Sequence, residues 1–163
     1  MGRMVTLRVV TTDDWPLWRD LRVAALTESP HAFKARVADW HRGGEEEWRA
    51  RFGRPGAHHL VAFLDGRGVG LARGVPVGDG VSELRSLWAG SRVRGRGAGD
   101  LLLGAVEAWA RGSGAATLRL TVIPGNDHAM ALYRRHGFAV TTEHGPLLPD
   151  GVTRELVMAK ALR

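Results

Sequence analysis

RVRGRGAG, residues 92–99, stands between a strand-like segment that ends near Ala89 and a run whose apolar residues recur at helical spacing. Gly95, Gly97 and Gly99 let the main chain turn tightly and bring its amides against a ligand with no Cβ in the way. The first-turn N–H groups of the helix that follows point outward without intrahelical partners, so the segment suits an anion such as a phosphate. The same eight residues also suit a plain Gly/Arg surface turn, and short glycine motifs do not choose between the two. The flanking segments decide.

From Gly97 to Arg111 the apolar residues Ala98, Leu101, Leu102, Ala105, Val106 and Trp109 fall on one predicted helix face, with Asp100 in the first turn and Gly112 and Gly114 as stops. TLRLTV, 117–122, alternates as a strand with Leu118, Leu120 and Val122 on one face. Asn126 and Asp127 supply a cap for a short helix to His136, closed by Gly137. Strands near 138–145 and 152–160 then flank the turn GPLLPDG.

Upstream, residues 4–10 read as a first strand, and Thr12, Asp13 and Asp14 cap a helix to about Leu26 whose apolar side carries Trp15, Trp18 and Leu21. The stretch 29–44, broken by Pro30 and two closing glycines, is either a substrate loop or a plain connection. A short helix at 45–52 precedes HHLVAFLDGRGVGLARGVPV, 58–77, two strands joined at the hairpin dipeptide Asp65-Gly66. A third strand runs over about 81–89, and the three are expected to be antiparallel.

A chain of 163 residues, 44% hydrophobic and 25% charged, fits one globular domain spanning 1–163. The absence of cysteine removes disulfides, thiolate metal sites and a cysteine nucleophile, and a cytoplasmic location fits best. No apolar stretch reaches the length of a secretory core or a membrane span, so a soluble, untargeted protein without a membrane partner is expected. Gly2 and Thr6 satisfy a loose myristoylation pattern, set aside because residues 4–10 read as a core strand.

The net charge is +6, and among the 23 basic residues only Lys34 and Lys160 are lysines. That balance allows an anionic ligand without choosing one, since an arginine bias also follows from coding composition. The arginines are spread from Arg3 to Arg163 among acids such as Asp13, Asp14 and Glu45 to Glu47, a pattern that disfavours nucleic acid. A dinucleotide fold fails because Asp100 stands where a small residue is needed, and a P-loop fails for want of GK[ST]. His31, His41, His58, His59, His128, His136 and His144 show no ligand spacing, so they are read as surface or packing residues and no metal is expected. No GxSxG elbow occurs.

RVRGRG, 92–97, is similar to the [Q/R]-x-x-G-x-[G/A] signature of the GCN5-related N-acetyltransferase (GNAT) superfamily. Its second segment, N-x-x-A-x-x-L-Y-x-x-x-G-F, follows at the expected interval as Asn126, Ala129, Leu132, Tyr133, Gly137 and Phe138. Two motifs in order weigh far more than either alone, and the resemblance covers nearly the whole chain.

The resemblance implies an α/β (α+β) fold: a mixed, mostly antiparallel sheet of about six to seven strands, splayed between the fourth and fifth, with about four helices. Acetyl-CoA would lie in the gap as cosubstrate. Its pyrophosphate would meet the loop Arg92, Arg94, Gly95, Arg96, Gly97, Ala98 and Gly99, gripped mainly by backbone amides. The main chain of Leu87, Trp88 and Ala89 would pair with the pantetheine arm, one amide polarising the thioester carbonyl, and Asn126 would bond the same arm or cap its helix.

The implied reaction is direct attack by a primary amine, mostly protonated at neutral pH and so in need of a proton acceptor. Glu83, four residues before Leu87, matches the catalytic glutamate of the histone-acetylating branch. Alternation places it on the face of Arg85 and Leu87, and the competing reading is a salt bridge with Arg85. Tyr133, the only tyrosine, takes the motif's position for protonating the departing thiolate.

Residues 89–93, AGSRV, and Lys34 depart from the commonest family pattern on the acceptor side, which leaves small molecules, amino acids and protein amines open as acceptors. His31, Trp40, Arg42 and the 145–151 turn are expected to border that site. A silent acyl-CoA sensor or interaction module on the same fold is the alternative, and a homodimer is left open.

Overall fold

The computed structural model describes residues 4–28, 44–93 and 95–163. The expected acceptor-side residues His31, Lys34, Trp40 and Arg42, and the loop residue Arg94, lie outside the described residues.

Seven strands form one sheet: β1 (Thr6–Val10), β2 (His58–Leu64), β3 (Arg67–Gly78), β4 (Val81–Ala89), β5 (Thr117–Val122), β6 (Ala139–Leu147) and β7 (Arg154–Ala161). Their order is β1-β2-β3-β4-β5-β7-β6, antiparallel throughout except for β4 against β5. The helices are α1 (Trp15–Glu28), α2 (Glu45–Ala50), α3 (Ala98–Gly112) and α4 (Asp127–Arg135). The parallel step needs a crossover, and α3 provides it.

Alternation divides the core into two clusters. In β2, Val61 packs with Leu71, Trp88, Trp18, Leu21 and Trp48 on the α1/α2 face, whereas Leu60 and Ala62 pack with Leu84, Leu102, Leu103 and Val106 on the α3/α4 face. Asp65 and Gly66 both adopt positive φ, the backbone of the tight hairpin expected at this dipeptide. The helix face predicted for α3 is rotated slightly. Leu101 is 46% exposed, and the core takes Leu103 instead, along with Ala98, Leu102, Val106 and Ala110. The last hairpin is tighter than expected because Asp150 accepts hydrogen bonds from the amides of Val152 and Thr153 and from the Thr153 hydroxyl, so β6 runs on to Leu147.

Two irregularities create the site. The parallel pairing of β4 and β5 covers only Val81↔Thr117, Ser82↔Leu118 and Glu83↔Arg119, after which the strands part. Just beyond, β4 carries a bulge: Arg85 pairs with Arg73 and Trp88 with Leu71, so Ser86 and Leu87 face a single residue of β3. Ser86 sits at φ 60°, a left-handed backbone uncommon for serine. Bulges bend a strand and reset its alternation. That reset corrects one expectation, because Leu87 does not share the face of Glu83 and Arg85. It packs against the cluster of Leu84, and Trp88 enters the opposite one.

Candidate active site

The parting strands enclose a cavity of about 900 Å³ that spans both sides of the sheet. On the α3/α4 side its wall includes Leu87, Asn126, Ala129 and Tyr133; on the other it includes Arg22, Arg85, Arg119, Glu143, His144 and Glu155. The gap joins two chambers, one walled by α4 and one lined by charge.

At the loop, Gly95 and Gly97 take φ 80° and 76°, and a Cβ built on either would meet nothing within 4 Å. The glycines are therefore required by backbone conformation and not by packing against the protein, which leaves the concave side free for a ligand. No side chain caps α3, and among the described residues the amides of Gly99 and Asp100 have no acceptor. Val93 is buried and anchors the loop, whereas Arg92 and Arg96 extend into solvent. This arrangement fits a diphosphate held by main-chain donors at a helix N-terminus. Asp100 does not oppose an anion freely: His136 at 2.8 Å and Arg135 at 3.0 Å engage its carboxylate, and the bond to His136 leads in holding its pKa low.

Leu87, Trp88 and Ala89 border β5 without pairing to it, so this edge of β4 keeps free main-chain groups for an extended ligand. Trp88 contributes backbone only, since its ring is buried in the opposite core. Asn126 caps α4 through a long 3.4 Å bond from the Ala129 amide to its Oδ1, and it also lines the cavity. The two readings of Asn126 are compatible, since its NH2 group stays available.

Tyr133 lies one turn further along α4, 8% exposed, with its ring edge-on to Phe138. Its hydroxyl makes no hydrogen bond among the described residues. Burial lifts its pKa to about 12, so the phenol is neutral at any physiological pH.

Glu83 is bound on both oxygens. Oε1 accepts from Arg85 Nε at 3.0 Å and Nη2 at 2.8 Å, and Oε2 accepts from Arg119 Nε at 2.9 Å and from Arg119 Nη2. Burial pushes its pKa up, but the bonds from Arg119 and Arg85 outweigh that and hold the carboxyl below its ordinary value. Such a carboxylate is a poor proton acceptor, and the salt-bridge reading of Glu83 suits this geometry better than the base.

Arg22, Arg119 and Glu155 belong to the wall of the charged chamber, yet the sequence reading passed over them. Arg22 occupies a core position of α1 beside Trp18, Leu21, Ala25 and Leu26, and an arginine in that stripe was the available signal. Burial first, then the charges of Arg51 and Arg73, bring it down to about 10. Glu155 shares its strand phase with Val157, again a charge where an apolar residue is the rule. Gly145 and Pro146 also line the chamber, both within β6, whereas residues 147–151 of the expected turn do not line it.

His58 and His59 behave as packing groups. His59 stacks on Phe52 at 4.2 Å, and burial followed by the charges of Arg73 and His58 drives its pKa to about 4. His58 stacks on Trp109 at 5.6 Å. Among the described residues no three His, Asp or Glu side chains gather in a metal-binding group, and no helix is long and apolar enough to cross a membrane.

The same fold recurs among solved structures. An acetyltransferase of the GNAT family from Streptococcus pneumoniae superposes with a TM-score of 0.80 at 22% identity, covering 97% of this chain and 99% of that one. The ribosomal-protein-alanine N-acetyltransferase of Brucella melitensis gives 0.74 at 26% identity over 96% and 99%. The PaiA N-acetyltransferase of Thermoplasma acidophilum, solved in complex with coenzyme A, gives 0.76 at 17% identity over 97% and 99%. No curated protein matches the chain in sequence. The sequence model of the acetyltransferase (GNAT) family matches residues 15–138, from the first helix through the glycine loop to Phe138. This chain therefore belongs to the GNAT acetyltransferase family.

Proposed function

We propose that this protein is an N-acetyltransferase that moves an acetyl group from acetyl-CoA to a primary amine of a small molecule, peptide or protein while both substrates are bound. The observation that carries this reading is the through-sheet cavity, which has Asn126 and Tyr133 in one wall and a charged chamber opposite, with the open N-terminus of α3 packed beside α4 on the Tyr133 side of the sheet.

Acetyl-CoA, when bound, supplies an activated acyl group on a thiol leaving group. The amides around Gly97 to Asp100 hold the diphosphate, and the unpaired edge at Leu87 to Ala89 aligns the pantetheine and offers a donor to the thioester oxygen. The acceptor enters from the chamber lined by Arg22, Arg85 and Arg119, and Asn126 steadies the chain crossing the fork. Tyr133 donates a hydrogen bond to sulfur as the C–S bond breaks. Glu83 holds Arg85 and Arg119 in place on the acceptor wall and is not the base. The Brucella melitensis relative is named for acetylating a protein's alanine, which puts peptide N-terminal amines among the acceptors to test.

Thiol release from acetyl-CoA against a panel of alkylamines, polyamines, amino acids and Ala-initiated peptides is the test. Acceptor-dependent release supports the transferase. Tight coenzyme A binding with no release across the panel indicates the sensor instead.

A further inference from the structure

Glu155, the second residue of β7, lies on the wall of the charged chamber and is 9% exposed. Among the described residues its carboxylate has no hydrogen-bond or ion-pair partner, which sets it apart from the other acids of the wall. Glu83 is held by two arginines, and Glu143, 62% exposed at the rim, lies 3.9 Å from Arg119. A largely buried carboxylate that no cation directly pairs is costly to keep, and protein interiors keep one where something completes it.

The local backbone holds the group in this position. A Cβ on Gly145 would stand 2.5 Å from the Glu155 carbonyl oxygen and 3.1 Å from its Cβ, so β6 closes onto β7 here only because residue 145 is glycine. Arg154, the adjacent cation, reaches away to the Gly145 carbonyl at 3.1 Å and does not turn to Glu155. The chamber's remaining titratable groups do not replace it: His144 is exposed, Tyr133 is neutral, and Arg22, Arg85 and Arg119 repel a cation.

We propose that Glu155 binds the acceptor amine as its ammonium ion and takes the first proton from it. The inference rests on the acetyl-transfer reading. One N–H bond of the ammonium breaks as a Glu155 O–H bond forms, and the freed lone pair makes the N–C bond while the C–S bond breaks. The second nitrogen proton passes to sulfur, and Glu155 returns its own proton to water. Neutral amide product then has no charge to hold it at Glu155, which favours its release.

The test separates binding from turnover. Protein loaded with coenzyme A is titrated calorimetrically with n-butylammonium and, as the uncharged comparison, 1-butanol. The parent is expected to prefer the ammonium at least tenfold; Glu155→Gln abolishes that preference, and Glu143→Gln keeps it. Equal preference in the parent and Glu155→Gln, or no preference in the parent, overturns the assignment. With whichever panel amine gives turnover, Glu155→Gln is further expected to raise the amine KM at least tenfold while the coenzyme A Kd changes less than twofold. A panel without turnover sinks the transferase reading, and the calorimetric arm still decides the role of Glu155.

Discussion

Tyr133→Phe removes one oxygen from the wall of the fork and leaves the ring, its edge contact with Phe138 and the packing of α4 in place. Because the hydroxyl makes no hydrogen bond among the described residues, its loss strands no buried partner there, and folding stability is expected to change by less than about 1 kcal/mol. The kinetic effect is separate. A phenol at about 12 is a weaker acid than an ordinary thiol at about 8.5, so full proton loss to a free thiolate would be uphill by ~5 kcal/mol. On the proposed mechanism Tyr133 is therefore a hydrogen-bond donor to sulfur while charge develops there, and the proton that ends on sulfur is expected to come from the amine nitrogen. A hydrogen bond to a charged acceptor contributes about 1.5–3 kcal/mol. Turnover should then fall about 10- to 150-fold. The assay is steady-state thiol release with the best panel amine, read beside the coenzyme A Kd. Equal kcat in mutant and parent would remove Tyr133 from the mechanism. A fall in kcat matched by an equal loss of coenzyme A affinity would make it a binding residue.

The remaining expectations each use one feature of the site. Since Tyr133 is the only tyrosine, phenolate absorbance in a pH titration reports it alone: the midpoint should be about 12 in the native protein and near 10 in denaturant. A native midpoint at 10 would mean an accessible phenol. For Glu83 the folded pKa is depressed, so its stabilisation is present above the unfolded value and is lost as pH falls through the folded one. Chemical denaturation should accordingly show Glu83→Gln less stable than the parent by about 1–3 kcal/mol at pH 7, the gap narrowing below about pH 4. A gap unchanged by acid would refute the ion-pair role. Gly97→Ala forces a Cβ into a left-handed residue with open space around it, at a cost of about 1–2 kcal/mol in stability. Its coenzyme A Kd should rise at least fivefold, and an unchanged Kd would place the diphosphate elsewhere. Gly74→Ala brings a Cβ within 2.5 Å of the Trp109 ring, and overpacking of about 1–3 kcal/mol should lower the thermal midpoint with no specific effect on the cofactor.

Local signals were strong where one strand or helix carries its own punctuation. Asp65-Gly66 announced its hairpin, Gly112 and Gly114 closed α3, and the strands at 81–89 and 117–122 have the bounds the alternation predicts. The signal was weaker where neighbours intervene. Leu101 and Leu103 exchange inside and outside because the contact with the sheet selects the buried arc of α3, which a wide apolar stripe leaves undecided. The bulge at Ser86 carries no glycine or proline to mark it, and it moves Leu87 to the other face from Glu83.

Taken alone, the chain's order of residues determined the local elements on which the proposed donor side rests. Gly95, Gly97 and Gly99 ahead of a helix, and Asn126 and Tyr133 on the next one, are local patterns, and local backbone geometry is written in adjacent residues. Tertiary structure decided the charged chamber where the proposal puts the acceptor. Whether Glu83 is a free base or a tied ion depends on Arg119, 36 positions away, meeting it across the last parallel pair before the fork. That Glu155 is a largely buried carboxylate without a partner among the described residues depends on β6 closing over it at Gly145 and on Arg154, Arg85 and Arg119 turning elsewhere. Charge and burial are properties of an assembled neighbourhood, and only the folded sheet brings that neighbourhood together.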